Sequence, residues 1–321
     1  MKLSAAFFLL FLASIAAAET PLHTYSIVAR DPESGEIGVA VQTHWFAVGS
    51  RVPWAEAGIG AVATQSFTEV SYGPLGLELM KSGKSAPDAL KSLIASDKGY
   101  EVRQVAMIDS NGNVAAHTGN KCIAQAGHKT GTNYSVQANM MEKSTVWGAM
   151  AQAFEKANGD LADRMLAALD AAQKEGGDIR GKQSAAIIVV GATKTGLIWK
   201  NRQIDLRVDD HPEPLQELRR LLRVHRAYAH MDKGDELLAE KRIADGMKEY
   251  ELAMELQPQN EEMIFWAAIG MFTAGEESRA MNLLRPLFRG NPRWLELVAR
   301  LPAADLLTVE AADRIRKQAR P

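Results

Sequence analysis

Cysteine is almost absent from this 321-residue sequence, in which Cys122 is the only one. A single thiol cannot form an intramolecular disulfide, and it cannot supply the paired cysteines of a structural zinc site. We expect Cys122 to be a small packed residue, because a catalytic thiol needs an electropositive and partly exposed setting. Stability must therefore come from a hydrophobic core, which a chain of this length is able to bury.

An excess of basic charge is also missing. Lysine and arginine together number 37, aspartate and glutamate number 39, and the formal net charge is -2. A net charge so close to zero does not indicate the basic surface that binds nucleic acid or the polybasic patch that binds a membrane. The sequence also lacks an HExxH pair, a Walker loop and a GxGxxG turn after a strand. We therefore expect no metal, no cofactor and no nucleic-acid partner.

The hydrophobic run at residues 5–13 (AAFFLLFLA) is too short to span a membrane. It follows Lys2 and precedes three small residues that end at Ala18, a pattern typical of a secretory signal peptide. No cysteine follows the run that could carry a lipid. The sequence thus predicts an exported protein, periplasmic or secreted, with residues 1–18 removed and no stable membrane anchor.

The residues that are present are organised around Thr24 to Phe67. Residues 24–30 and 36–43 alternate in polarity and flank a Pro- and Gly-containing turn, which predicts a β-hairpin. Residues 58–66 are small and apolar, as in a strand that another backbone approaches closely. The strand ends carry the polar residues, which are Thr24, Ser26, Gln42, Thr43, His44, Gln65 and Ser66.

An antiparallel hairpin brings the start of one strand beside the end of the next. We therefore expect Thr24 and Ser26 to lie near His44. A hydroxyl beside an imidazole can act as a nucleophile and its base. The alternative is that His44 and Trp45 only cap the strand, and the pattern alone does not separate the two.

The order of the remaining elements predicts an α+β fold. Helical spacing marks two pairs of helices, and alternation or a turn signal marks the strands between them. Two helical layers enclosing two sheets would bury these elements economically. The predicted helices are 72–82, 86–96, 145–156 and 161–174, and the predicted strands include 101–109, 113–118, 134–140, 185–190 and 196–204.

The polar residues 205–214 (DLRVDDHPEP) predict a linker, and residues 215–321 have a helical pattern throughout. Pro258 and Pro292 are 34 residues apart, and each follows a predicted helix. This spacing resembles that of tetratricopeptide repeats, which stack helix pairs around a concave face. We therefore expect a second, all-α domain.

Eight motifs in series resemble the domain-of-unknown-function family 1028. They run in order from about Thr24 to Val190, and they are HTYSIVARD, GVAVQTHWFAVGS, VPWAEAGIGAVATQSF, YGPLGLEL, EVRQVAMID, AAHTG, QANMM and GGDIRGKQSAA. The resemblance implies a four-layer αββα sandwich of the N-terminal-nucleophile hydrolase type over residues 19–204. It also implies that the C-terminal helices bind peptidoglycan, and helical repeats could instead hold a protein partner.

An N-terminal-nucleophile hydrolase attacks an amide with the side chain of its first residue, and the free α-amine of that residue is the base. The resemblance places Thr24 in that role. Asn139 would supply an oxyanion amide, and the guanidinium fork of Arg180 would orient a substrate carboxylate. The residues expected to bind substrate are Gln42, Gln65, Ser66, Asp178 and Arg180.

This sequence departs from the resemblance at its start, because cleavage after Ala18 would leave Thr24 five residues inside the chain. A second cleavage could expose Thr24, His44 could replace the amine as the base, or the domain is not a hydrolase. We predict an exported amidohydrolase that acts on a small amide or a cell-wall peptide. The alternative is an inactive binding protein that holds a peptide or peptidoglycan through its cleft and helices.

Overall fold

A computed structural model describes residues 24–319, without the side chain of Ile198. The expected signal peptide, residues 1–18, lies outside this range. The described chain divides into two compact units, residues 24–218 and residues 219–319. No helix within the described range is both long and apolar enough to cross a membrane.

The first unit contains two antiparallel sheets. Their strand orders are β10-β9-β2-β1-β8-β7 and β3-β4-β5-β6. The ten strands of the described residues are β1 Thr24–Arg30, β2 Ile37–Thr43, β3 Pro53–Glu56, β4 Gly60–Ser66, β5 Arg103–Asp109, β6 Val114–Thr118, β7 Gly127–Gly131, β8 Tyr134–Ala138, β9 Ser184–Val190 and β10 Arg202–Val208.

Four α-helices lie wholly within the first unit. They are α1 Tyr72–Lys81, α2 Ala86–Ser96, α3 Val146–Lys156 and α4 Leu161–Lys174. The start of α2 is where the sequence predicts it, because the Ser85 hydroxyl accepts a hydrogen bond from the Asp88 N–H at 3.2 Å. A side-chain cap of this kind satisfies a backbone donor that a helix start leaves without an intrahelical partner.

The two sheets pack face to face. Alternate residues of a strand point to opposite faces, so one strand can serve two cores. On β4, Ala61 and Ala63 belong to the core between the sheets, whereas Val62 belongs to the core under α1 and α2. On the six-stranded sheet, α4 packs against β1 and β2, and α3 packs against β7 and β8. The predicted hairpin is confirmed, with Thr24 opposite Thr43.

The end of this unit differs from the sequence prediction. The predicted strand at 196–204 is placed too early, because β10 begins only at Arg202 and continues into the expected linker at 205–214. β10 is the edge strand beside β9, and most of its residues are exposed or half-buried. A polar edge strand lacks the apolar face from which strands are recognised, so its sequence resembles a linker. The boundary between the two compact units falls after Leu218, which lies within the helix Pro214–Ala239.

The second unit is helical. Its core includes Met247, Tyr250, Phe265 and Phe272. The helices, the first of which begins in the first unit, are α5 Pro214–Ala239, α6 Ile243–Leu256, α7 Glu261–Thr273, α8 Glu277–Gly290, α9 Arg293–Val298 and α10 Val309–Gln318. The predicted helical C-terminal region is thus confirmed.

Candidate functional site

One end of the paired sheets collects the polar strand ends. Thr24 at the start of β1 lies opposite Thr43, and Gln104 on β5 lies between Gln65 and Thr118 on its two neighbours. β1 and β4 contact each other across the sheets. Polar side chains from both sheets therefore meet at the same end of the sandwich.

Thr24 is completely buried at this end. Its hydroxyl hydrogen-bonds that of Thr43 at 3.2 Å. Its carbonyl oxygen accepts hydrogen bonds from Gln65 Nε2 at 3.1 Å and from the Asn139 backbone N–H at 3.1 Å. Asn139 Nδ2 adds a longer contact of 3.4 Å. The backbone of Thr24 is thus held by groups from both sheets.

Gln104 is the centre of the amide network around Thr24. Its Oε1 accepts from Gln65 Nε2 at 2.7 Å and from Asn139 Nδ2 at 2.9 Å. Gln65 Oε1 in turn accepts from the Ser26 hydroxyl at 2.6 Å. All four side chains belong to completely buried residues. Hydrogen bonds in a buried network make its members rigid, so this one holds Gln65 and Asn139 in fixed orientations, although Asn139 Oδ1 has no partner among the described residues.

Sequence reasoning missed Gln104 and Gln137 as members of this network. Gln137 Nε2 donates to the Ser26 hydroxyl at 2.5 Å, and its Oε1 accepts from the Ser135 hydroxyl. A signal was present, because each glutamine stands beside the apolar residues of a strand, and both strands are buried along their whole length. A glutamine in a fully buried strand requires hydrogen-bond partners there.

Gln42 lies on the other face of β2, toward α4. Its Nε2 donates to Gln173 Oε1 at 2.8 Å, and the Tyr25 hydroxyl donates to the same oxygen at 2.9 Å. Burial, followed by the nearby Asp178 carboxylate, raises the pKa of Tyr25, so its hydroxyl remains a donor. The structure therefore separates Gln42 from Thr24 and Gln65, with which the sequence grouped it.

His44 also turns away from the two hydroxyls expected to pair with it. Its backbone N–H donates to Asp178 Oδ2 at 3.1 Å, while its Nδ1 is buried without a partner among the described residues. Ser26 instead donates to Gln65. Strand alternation explains the result, since Thr43 faces the other sheet and the next residue points to the opposite side. The expected pairing of a hydroxyl with His44 is not formed.

Asp178 and Arg180 form an ion pair within one loop. Arg180 Nη2 lies 2.7 Å from Asp178 Oδ2, and its Nε lies 3.1 Å from Oδ1. The Asp178 side chain is completely inaccessible to solvent, and that of Arg180 is 28% exposed. The guanidinium fork that was expected to bind a substrate carboxylate is therefore occupied by this neighbouring carboxylate.

Ser66 and Cys122 lie beside the start of β5. Ser66 is buried and adopts a positive φ of 71°. The Cys122 thiol donates to the Arg103 carbonyl at 3.3 Å. Burial raises the pKa of this thiol, against the opposing effect of the Ser66 hydroxyl. A thiol with a raised pKa is a poor nucleophile near neutral pH.

In comparisons with known proteins, residues 24–218 match the model of a family of unknown function, DUF1028. The chain belongs to this family. A crystal structure from the same family, protein SPO2555 of Silicibacter pomeroyi, is 32% identical with a TM-score of 0.56. The similarity covers 63% of this chain and 88% of that one. The comparison with curated proteins found no match.

The DUF1028 match confirms the family that the sequence motifs indicate. It ends at residue 218, which is also the last residue of the first compact unit. The family domain therefore includes β10 and the first turn of α5. Neither the description of the family nor that of its solved member names an activity.

Proposed function

We propose that the DUF1028 domain is an exported amide hydrolase of the N-terminal-nucleophile type, and that Thr24 is its nucleophile. The proposal depends mainly on the position of Thr24, whose carbonyl oxygen is clamped at the start of β1 by Gln65 and Asn139. The packing of two helices against each sheet is compatible with the layering of that fold. The substrate would be a small amide or a cell-wall peptide.

The proposed reaction begins after cleavage ahead of Thr24. The new α-amine, with an ordinary pKa of about 8, takes the hydroxyl proton while Oγ1 attacks the amide carbonyl. The amide C–N bond then breaks, and the proton passes to the leaving amine. Water hydrolyses the acyl-threonine ester that remains.

Three other residues receive revised roles in this proposal. Thr43 orients the hydroxyl of Thr24 through their 3.2 Å hydrogen bond. The side-chain NH₂ of Asn139 already donates to Gln104 and contacts the Thr24 carbonyl, so it positions the nucleophile instead of binding the oxyanion. Gln65 shares that positioning role.

The first test uses protein recovered from the exported fraction, with its N-terminal sequence and intact mass determined. We expect a chain that starts at Thr24. We also expect it to react with a peptide epoxyketone, which forms a morpholine ring only with an N-terminal residue that has both a free amine and a hydroxyl. Thr24→Ala should abolish that adduct, because the nucleophilic oxygen is gone, and Thr24→Ser should retain it.

Thr130→Ala provides the matched control, since Thr130 is an exposed residue of β7. It should leave the adduct unchanged. A mature chain that starts at Glu19 and gives no adduct would contradict the proposed mechanism.

A binding function of the second unit is favoured by a separate observation. Its helices form an apolar groove of about 490 Å3 that carries the carboxylate of Asp235. The larger apolar residues of the groove are Leu238, Ile243, Trp266, Ile269 and Leu306. A concave, mostly apolar surface with few polar groups is typical of a ligand site. The second proposal is therefore that these helices form a tetratricopeptide-like array and hold a peptide or peptidoglycan.

Blocking this groove should weaken binding to purified peptidoglycan. Thr273 lines the groove and is exposed, so Thr273→Arg places a long charged chain at the site without disturbing the core. We expect at least about a tenfold loss of affinity in a sedimentation assay, which corresponds to roughly 1.4 kcal/mol. Ser278→Arg, on the exposed surface of α8, should bind as the parent does. An equal loss of affinity in Thr273→Arg and Ser278→Arg would show that the added positive charge, and not the blocked groove, weakens binding.

A further inference from the structure

A polar pocket of about 500 Å3 lies where the edges of the two sheets meet. It lies between the end of β6 and the start of β7, and Trp147 of α3 contributes to its wall. None of its lining residues is an aspartate, glutamate, lysine or arginine. These residues are Thr118, Gly119, Asn120, Cys122, Ala124, Gln125, Ala126, Gly127, His128 and Trp147.

A hydroxyl and an imidazole are in contact in this pocket. Thr118 Oγ1 lies 2.8 Å from His128 Nδ1, although the two residues belong to different sheets. Gln104 Nε2 lies 2.9 Å from the same oxygen. The threonine hydroxyl thus has two nitrogen neighbours, Gln104 Nε2 and His128 Nδ1.

The orientation of the Gln104 amide is determined by its other partners. Its Nε2 contacts the carbonyl oxygens of Gly127 and Ala138, which can only accept. This nitrogen is therefore an NH₂ donor and cannot receive the Thr118 proton. In the tautomer that carries its proton on Nε2, His128 Nδ1 accepts the hydroxyl hydrogen of Thr118.

His128 is suited to accept that proton. His128 is exposed as a residue, but partial burial of its ring, followed by the nearby His117, lowers its pKa, so the imidazole is neutral at pH 7. His117 is itself engaged, since its Nε2 donates to the Tyr100 carbonyl. The Cys122 thiol is the other titratable group of the pocket, and burial raises its pKa. A neutral imidazole that accepts from a hydroxyl is the arrangement of a nucleophile with its general base.

We propose that Thr118 and His128 are a second nucleophile–base pair, which transfers the acyl group of a small, neutral, polar ester or amide bound in this pocket. Asn120 and Gln125 supply amides for such a substrate, and the lack of charged walls disfavours an ionic one. This inference goes beyond the proposed role of Thr24 and does not require a free N-terminus.

The proposed step is an ordinary acyl transfer. Thr118 Oγ1 bonds to the substrate carbonyl carbon as its proton moves to His128 Nδ1. The bond from that carbon to the leaving group then breaks, and the imidazolium returns the proton to the leaving group. Water hydrolyses the acyl-Thr118 ester with His128 again as the base, which regenerates both residues.

The test measures acetylation of the full chain by p-nitrophenyl acetate in a Cys122→Ala background, which removes the thiol as a competing nucleophile. We expect a burst of one p-nitrophenolate per chain and an acetyl group on Thr118 in peptide mass spectrometry. Thr118→Val should abolish the adduct, Thr118→Ser should retain it, and His128→Asn should slow the burst by about 100-fold or more. Thr130→Val is the matched hydroxyl control and should change nothing.

The pH profile separates this site from Thr24. Acetylation of Thr118 should rise through the lowered pKa of His128 and be level from pH 7 to 9. Reaction at Thr24 would rise through about pH 8, the ordinary pKa of an α-amine.

The proposal is overturned if the acetyl group is on Thr24 or on lysines, if no burst occurs, or if folded Thr118→Val reacts as the parent does. Circular dichroism shows if each variant is folded. If Thr118→Val is unfolded, the burst rate of His128→Asn tests the proposal instead, because His128 is exposed and its replacement should not disturb the fold.

Discussion

Gln104→Leu is expected to lower the free energy of unfolding of the first unit by about 3 kcal/mol. The glutamine is completely buried, and its amide joins the two sheets. Its oxygen accepts from Gln65 and Asn139, and the two hydrogens of its NH₂ are shared among Thr118 and two carbonyl oxygens. Leucine fills a similar volume but removes all of these hydrogen bonds, and each buried polar group that is left unsatisfied costs about 1–3 kcal/mol.

Urea unfolding of the full chain measures this effect, with the two units fitted as separate transitions where they do not coincide. Gln203→Leu is the matched control, because Gln203 is an exposed glutamine on the edge strand β10. It should change the free energy of unfolding by less than about 0.5 kcal/mol. A loss below about 1 kcal/mol for Gln104→Leu would show that its partners find other hydrogen bonds.

Tyr250→Ala is expected to destabilise the second unit by about 3–5 kcal/mol. The tyrosine is 1% exposed and lies between α5 and α7. A Cβ added at Gly234 would approach its ring to 2.5 Å, and one added at Gly270 would approach its hydroxyl to 2.7 Å. Both glycines therefore make room for the ring, and alanine at position 250 would leave a cavity between them.

Tyr250→Phe should cost only about 1 kcal/mol, because it keeps the ring and loses one hydrogen bond to Asp235. Burial, followed by that hydrogen bond, raises the pKa of Tyr250, so the hydroxyl remains a donor near neutral pH. Tyr228→Ala is the control, since Tyr228 is 39% exposed and bonds Glu262 at the surface. The free energy of unfolding of the three variants is measured by urea unfolding, followed by the helical circular dichroism signal. If Tyr250→Ala and Tyr228→Ala lose the same free energy of unfolding, the packing argument is refuted.

The sequence determined the elements whose signals are local. Alternating polarity and the turn between residues 31 and 35 specify the β1–β2 hairpin, since both act over a few residues. The Ser85 cap specifies the start of α2 in the same way. The motif series identified the family, and the helical pattern after residue 214 identified a second, helical unit. Polar edge strands such as β7 and β10 were missed or misplaced because they have no buried face.

The tertiary structure decided which polar residues meet. Thr24, Gln65 and Asn139 come together between the sheets, whereas Gln42 points toward α4 and His44 lies beside the loop of Asp178. The sequence had grouped Thr24, Gln42, His44 and Gln65 by their position at strand ends, which does not specify a face when both faces of a sheet are covered. Tertiary packing also makes Gln104 the centre of the network.

The pair of Thr118 and His128 shows the same limit of sequence reasoning. The two residues are only ten positions apart, yet they lie on edge strands of different sheets. Periodicity within a strand reports which face a residue occupies, and it carries no information about which edge of another sheet lies beside it. The sequence thus determined the strands and the family, and only the packing of one sheet on the other brought this hydroxyl to its imidazole.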